Sequence, residues 1–159
     1  MSLRNEMTNC AAPRSTLLIR LLVGGVFLLE GIKKFLFVEA WGAGRFARIG
    51  IPHPHIMGPF VGAVEIVCGA LLLVGLFTRF ASVPLIFTIS VAIATTKMPI
   101  LLKSGFWPME AEARTDYSML LGLIFLLIVG AGAWSLDAQL CGGNKKNAED
   151  AERADHRST

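Results

Sequence analysis

Residues 64–79 read VEIVCGALLLVGLFTR. Glu65 stands second in a run of valine, leucine, isoleucine and glycine, with little else nearby that is suited to water. An ionised carboxylate at the centre of a bilayer costs about 2.5–3.5 kcal/mol on insertion scales. Either the side chain is neutral, or a cation at the same depth meets it. The fold and the candidate site both turn on which residues share its level.

The chain has 159 residues, enough for one domain. It is 53% hydrophobic, with a mean hydropathy of +0.58. Only 17% of its residues are charged, against about 25% in soluble domains. A soluble globule of this size would leave large apolar patches in water, so lipid is the expected solvent. The net charge of +3 comes from scattered lysines and arginines, without a basic block or interleaved aromatics. No nucleic-acid partner is expected; the charge suits membrane orientation.

Four segments approach the roughly 20 apolar residues that cross a bilayer: 16–37, 58–77, 80–98 and 117–134. The predicted fold is all-α, a transmembrane four-helix bundle over residues 16–140, with a polar N-terminal segment (1–15) and a disordered polar tail (141–159). Arg20 and Glu30 interrupt the first span and no clean cleavage site follows it, so it reads as a retained helix rather than a leader. Glycines and prolines break the chain between spans one and two, and Thr78 and Arg79 alone join two to three. The stretch from Pro99 to Thr115, with Trp107 and Pro108, reads as interfacial. Trp41, Trp107 and Trp134 fall near span ends, where indoles favour the headgroup layer. Arg20 apart, basic residues divide seven against seven between the two sides. Discounting Lys33, Lys34 and Lys97 at helix edges tips both termini to the cytoplasm.

Glu30 lies seven residues before the end of span one, and Glu65 seven residues after the start of span two. Both carboxylates should therefore sit roughly 10 Å inside the same boundary, with Lys33, Lys34, Lys97 and Asp116 close to that level. Arg20, Gly24, Phe27, Glu30, Gly31 and Lys34 share one face of span one, and Glu65 shares a face with Gly58, Gly62 and Gly69 on span two. Small residues let membrane helices approach, so the glycine faces mark helix–helix contact. The expected arrangement is a buried polar cluster of Glu65, Glu30, Lys34, Lys33, Lys97 and Asp116, facing protein.

Two readings of that cluster stay open. It could fix helix register, since Glu30 with Lys33 or Lys34 has ordinary local-pair spacing. It could equally hold a ligand, a proton or a quinone. Asp116 reads either as a cluster member or as an acid near the start of span four. Arg20 and Arg79 read as headgroup snorkellers near the opposite face. His53 and His55 in IPHPH lack a third ligand and read as solvated, so no metal is expected. Cys10, Cys68 and Cys141 show no CxxC spacing and no histidine partner, which argues against zinc or a redox pair. Cys68 reads as a small packing residue; Cys10 and Cys141 flank the outer spans, where a disulfide or acylation is conceivable.

The runs RLLVGGVFLLEGIKKF, GIPHP and VEIVCGALLLVGLFTRFAS together resemble the DoxX family of small bacterial membrane proteins. The matching positions are Arg20, Gly31 with Lys34, Gly50 with Pro52 and Pro54, Glu65 with Gly69, and Gly75 through Arg79. The resemblance spans roughly residues 16–140 and is strongest in the first two spans. It implies four transmembrane helices in the cytoplasmic membrane and an association with redox chemistry, since relatives are subunits of quinone-linked oxidoreductases or partners of oxidative-stress enzymes.

No flavin, haem or iron–sulfur motif is present in the sequence, so electrons would travel on a quinone or a partner subunit. The first functional expectation is an accessory subunit of a redox system. The second is a non-catalytic anchor that recruits soluble partners through its ends. Transport of a small solute or proton is a third, and four short helices leave little room for a pathway without oligomerisation. Glycine faces of this kind also permit a homo-oligomer.

Overall fold

The computed structural model describes residues 14–132 and 134–138. Five helices carry most of them: α1 (Thr16–Leu36), α2 (Ala43–Arg48), α3 (Pro54–Val74), α4 (Thr78–Ser104) and α5 (Phe106–Val129). Among the described residues there is no strand. Cys10, Cys141 and nearly all of the two terminal segments lie outside them.

The four long helices form a ring in which α1 packs on α3, α3 on α4, α4 on α5 and α5 on α1. The start of α1, the end of α3, the start of α4 and the end of α5 share one end, here the terminal end; the opposite end is the loop end. Helices α3 and α4 are long and apolar enough to cross a membrane. The outward faces are largely apolar, with Leu18 68% exposed, Phe60 61%, Phe87 71% and Ile128 69%. Water does not tolerate so continuous an apolar surface, whereas lipid does.

Local chemistry sets the helix ends. Helix α3 starts with Pro54 in its first turn, where the missing N–H costs nothing. It stops at Gly75, whose positive φ of 73° lets the chain reverse. There the Leu76 N–H donates to Leu71 O at 3.0 Å and the Gly75 N–H to Leu72 O at 3.2 Å, the paired bonds of a Schellman cap. Gly75, Leu76 and Phe77 then form the whole link to α4. Phe77 adopts φ 49°, an uncommon conformation for a bulky residue. A remote group holds it: the Asp137 carboxylate accepts from Phe77 N at 2.9 Å and from Thr78 N at 3.2 Å.

Two boundaries differ from the sequence expectation. Helix α4 runs past Met98 to Ser104, with Pro84 and Pro99 inside it, and α5 begins at Phe106 rather than at Tyr117. The stretch expected to be an interfacial connection is thus helical on both sides of Gly105. Pro108 sits in the first turn of α5, where it is tolerated, and MEAEAR is rich in strong helix formers. Falling hydropathy marked the end of the apolar span, not the end of the helix. Helix α2 was also unanticipated; it turns Ala43 and Phe46 inward and packs on α3.

The buried apolar core comprises Val23 and Phe27 of α1, Leu72 of α3, Ala81, Leu85 and Ile89 of α4, and Met119, Leu123 and Leu126 of α5. All nine lie in the half of the ring toward the terminal end. Cys68 is half-buried against this core, as a small packing residue would be.

Candidate functional site

Toward the loop end, the inward stripe of each long helix changes from apolar to charged. Seven residues past Phe27 on α1 comes Lys34, and seven before Leu72 on α3 comes Glu65. Eight past Ile89 on α4 comes Lys97, and seven before Leu123 on α5 comes Asp116. At 1.5 Å per residue these offsets put Lys34, Glu65 and Lys97 about 10–12 Å beyond the core, whereas Asp116, three residues from Met119, lies about 4.5 Å beyond it. Two cations and two anions make up the layer.

Close backbone approach brings Lys34 and Glu65 together. A Cβ on Gly31 would stand 2.7 Å from Gly62 O, and one on Gly69 would stand 2.8 Å from Leu28 N and 3.0 Å from Gly24 O. Only glycine permits α1 and α3 to lie this close. Gly58 meets Ala43 of α2 instead, 2.9 Å from its N, so the short helix seats on α3 through this glycine. With the backbones this near, Lys34 Nζ reaches Glu65 Oε2 at 2.5 Å, and the side chains are 13% and 5% exposed. Glu65 therefore faces protein, where its carboxylate accepts a charge-assisted hydrogen bond.

Lys97 joins the other helix pair. Its ammonium lies 3.4 Å from Asp116 and 3.8 Å from Glu112, both on α5. Asp116 is ten residues into α5, so it is no helix-end acid. Glu30 and Lys33 pair with each other at 2.5 Å, each 38% exposed, so they are less buried than Lys34 and Glu65. The Glu30 charge is still close enough to act on Glu65. Lys33 and Arg45 also lie over the Trp41 ring at 5.1 and 5.2 Å, tying the α1–α3 connection together.

Arg20 overturns its sequence reading. It is 1% exposed and snorkels to no headgroup. Its guanidinium donates to Leu72 O at 2.9 Å and Leu73 O at 2.8 Å on α3, and to Ala131 O at 3.0 Å and Trp134 O at 2.7 Å beyond α5. Those are carbonyls of the last turn of α3 and of the segment that covers it; Leu72 O also accepts from Gly75 N. Arg79 is half-exposed at the same end and donates to Ile128 O at 2.9 Å. Sequence reasoning missed Glu112 and Asp137 altogether: one looked like part of a loop, the other like the start of a tail.

His53 and His55 are both exposed, at the start of α3. Among the described residues, no group of three or more histidine, cysteine or acidic side chains stands close enough to hold a metal ion. Trp41, Trp107 and Trp134 are 41%, 78% and 60% exposed. Chemically, the layer offers a short ammonium–carboxylate pair with spare donors and a looser one nearer water.

The family model described as DoxX matches residues 15–98, a little over half of the chain. The chain belongs to the DoxX family. The matched region contains Arg20, Lys34, Glu65 and Lys97 and ends before α5, which supplies Asp116 and Glu112. This DoxX protein is 51% identical to an "Uncharacterized membrane protein" of Mycobacterium tuberculosis, over 85% of this chain and 86% of that one. It is 32% identical to "Putative oxidoreductase CatD" of Bacillus subtilis, over 82% and 90% of the two chains. An "Uncharacterized protein" of Haemophilus influenzae is 34% identical over 75% and 85%. No solved structure matches the chain. Family and relatives alike make it a membrane protein.

Proposed function

We propose that this DoxX protein is an accessory subunit of a redox system: a transmembrane four-helix bundle of the cytoplasmic membrane, with both termini in the cytoplasm, whose Lys34–Glu65 pair receives a quinone headgroup. The observation that carries this reading is a 2.5 Å ion pair with side chains 13% and 5% exposed, in a protein whose outer surface is largely apolar. The printed name of the Bacillus subtilis relative points to the same chemistry.

The residues present fit a quinone headgroup. An ammonium has three N–H donors, and Lys34 uses one of them on Glu65. The remaining donors suit a carbonyl acceptor, and Glu65 is a carboxylate able to hold or release a proton beside it. When bound, a quinone would supply a lipid-soluble carrier of two electrons and two protons. Lys34 would orient the headgroup, Glu65 would hold Lys34 in place, and the apolar walls would keep bulk water from the pair. The electron donor would be a partner subunit, since this sequence carries no redox-group motif of its own.

The test is quinone co-extraction. Wild-type protein purified in mild detergent should carry quinone, and Glu65→Gln should reduce the bound amount about tenfold, equal to a loss of about 1.4 kcal/mol. Lys103→Gln, at an exposed loop-end position, should leave it unchanged. Wild-type protein free of quinone would end this reading.

A second reading is an anchor for a soluble partner. It is favoured by the exposed loop-end surface around Gly105, where Leu102 is 81%, Phe106 57% and Trp107 78% exposed. Trp107→Ala should then weaken partner capture while leaving quinone content intact.

A further inference from the structure

The two ion pairs of the charged layer are not alike. Lys34 holds its carboxylate at 2.5 Å, whereas Lys97 stands 3.4 Å from Asp116 and 3.8 Å from Glu112. Lys97 is only 8% exposed, yet among the described residues its ammonium makes no hydrogen bond. Ion-pair contacts this long leave donors of the ammonium free, and polar contacts near 3.5 Å are the spacing at which bridging water belongs.

Exposure falls in order along the same three residues. The side chain of Glu112 is 67% exposed, that of Asp116 28% and that of Lys97 10%. Glu112 and Asp116 are four apart on α5, one turn above each other on a shared face. On α4 and α5 the apolar core that would keep water out stops short of this level, at Ile89 and Met119. Across the interior, Lys34 and Glu65 of α1 and α3 stand at the same height.

We propose that water enters from the loop end along Glu112 and Asp116 to Lys97, so that α4 and α5 hold a hydrated proton inlet separate from the Lys34–Glu65 pair. A proton taken from hydronium by Glu112 passes through a bridging water to Asp116, leaving Glu112 ionised again; no electrons move. Lys97 supplies the positive charge that keeps two carboxylates stable beneath the membrane surface. As a supply line for protons the inlet rests on the redox reading above; its hydration does not.

Single cysteines test it in native membranes, after Cys10, Cys68 and Cys141 are replaced by alanine. A membrane-impermeant cationic methanethiosulfonate is applied to each face in turn. Glu112→Cys serves as the wet reference and Leu85→Cys as the dry one. Lys97→Cys and Asp116→Cys should both label from the face that labels Glu112→Cys, within about tenfold of its rate, and Leu85→Cys at least about a hundredfold slower. Labelling of Lys97→Cys as slow as that of Leu85→Cys overturns the inlet. If Lys97→Cys does not fold, Asp116→Cys, which keeps Lys97, decides by the same criterion. Fast labelling alongside quinone-free wild-type protein removes the quinone reading and keeps the inlet.

Discussion

Lys34 and Glu65 each follow, by three residues, a glycine that touches the opposite helix: Gly31 before Lys34 and Gly62 before Glu65. The glycine contact sets the helix separation, and that separation sets the 2.5 Å ion pair one turn away. Removing either partner should strand a charge in a dry place. Lys34→Met should cost about 3–5 kcal/mol, the usual penalty for halving a buried pair. Lys34→Met combined with Glu65→Leu should recover most of it. Thermal unfolding in detergent measures both, and a single variant as stable as wild type would contradict the geometry.

The glycine seam can be probed without touching a charge. A Cβ on Gly31 or Gly69 would collide with backbone atoms at 2.7–2.8 Å, while one on Gly25 meets nothing within 4 Å. Gly31→Ala and Gly69→Ala should each destabilise by about 1–3 kcal/mol, the typical cost of overpacking. Gly25→Ala should stabilise by about 0.5–1 kcal/mol through helix propensity. Opposite signs along one helix, read from melting temperatures, are the expected result.

Arg20 holds four carbonyl oxygens from two separate segments. Hydrogen bonds to a charged group contribute about 1.5–3 kcal/mol each and do not add simply. Arg20→Gln should therefore lower stability by more than about 3 kcal/mol, well beyond Arg79→Gln at the half-exposed neighbouring site. It should also free residues 131–138 to limited proteolysis before the helices are cut.

Asp137 caps α4 from outside the helix. Asp137→Ala should lose about 1 kcal/mol, as removal of a capping side chain does. Asp137→Asn, which keeps one acceptor oxygen, should lose less. Equal losses would show that only the charge matters.

Four long helices, the loop-end level of the charges and the glycine contacts could be read from periodicity, because depth and azimuth follow directly from residue count. Glu65 was found this way. What escaped was whatever depends on a partner remote in sequence. The role of Arg20 rests on carbonyls more than fifty residues away, and no local pattern announces a backbone acceptor. Glu30 and Lys33 shared the right depth, but they pair with each other, half-exposed, rather than joining the buried contacts. The start of α5 was missed because polar helix and polar loop look alike when hydropathy alone draws the boundary.

The crowding of the nine-residue apolar core toward one end, with only Ala43 and Phe46 of α2 buried among the described apolar side chains at the other, gives the molecule a stiff base and a pliant rim. The opening turns of α5, almost wholly exposed from Phe106 to Ser118, border the charged layer and lean mainly on α4. Amide exchange should therefore run fastest there and slowest around Leu85 and Leu123. Pulled from the loop between α4 and α5, the fold should yield first beside its charges, leaving the base standing until a second, higher force.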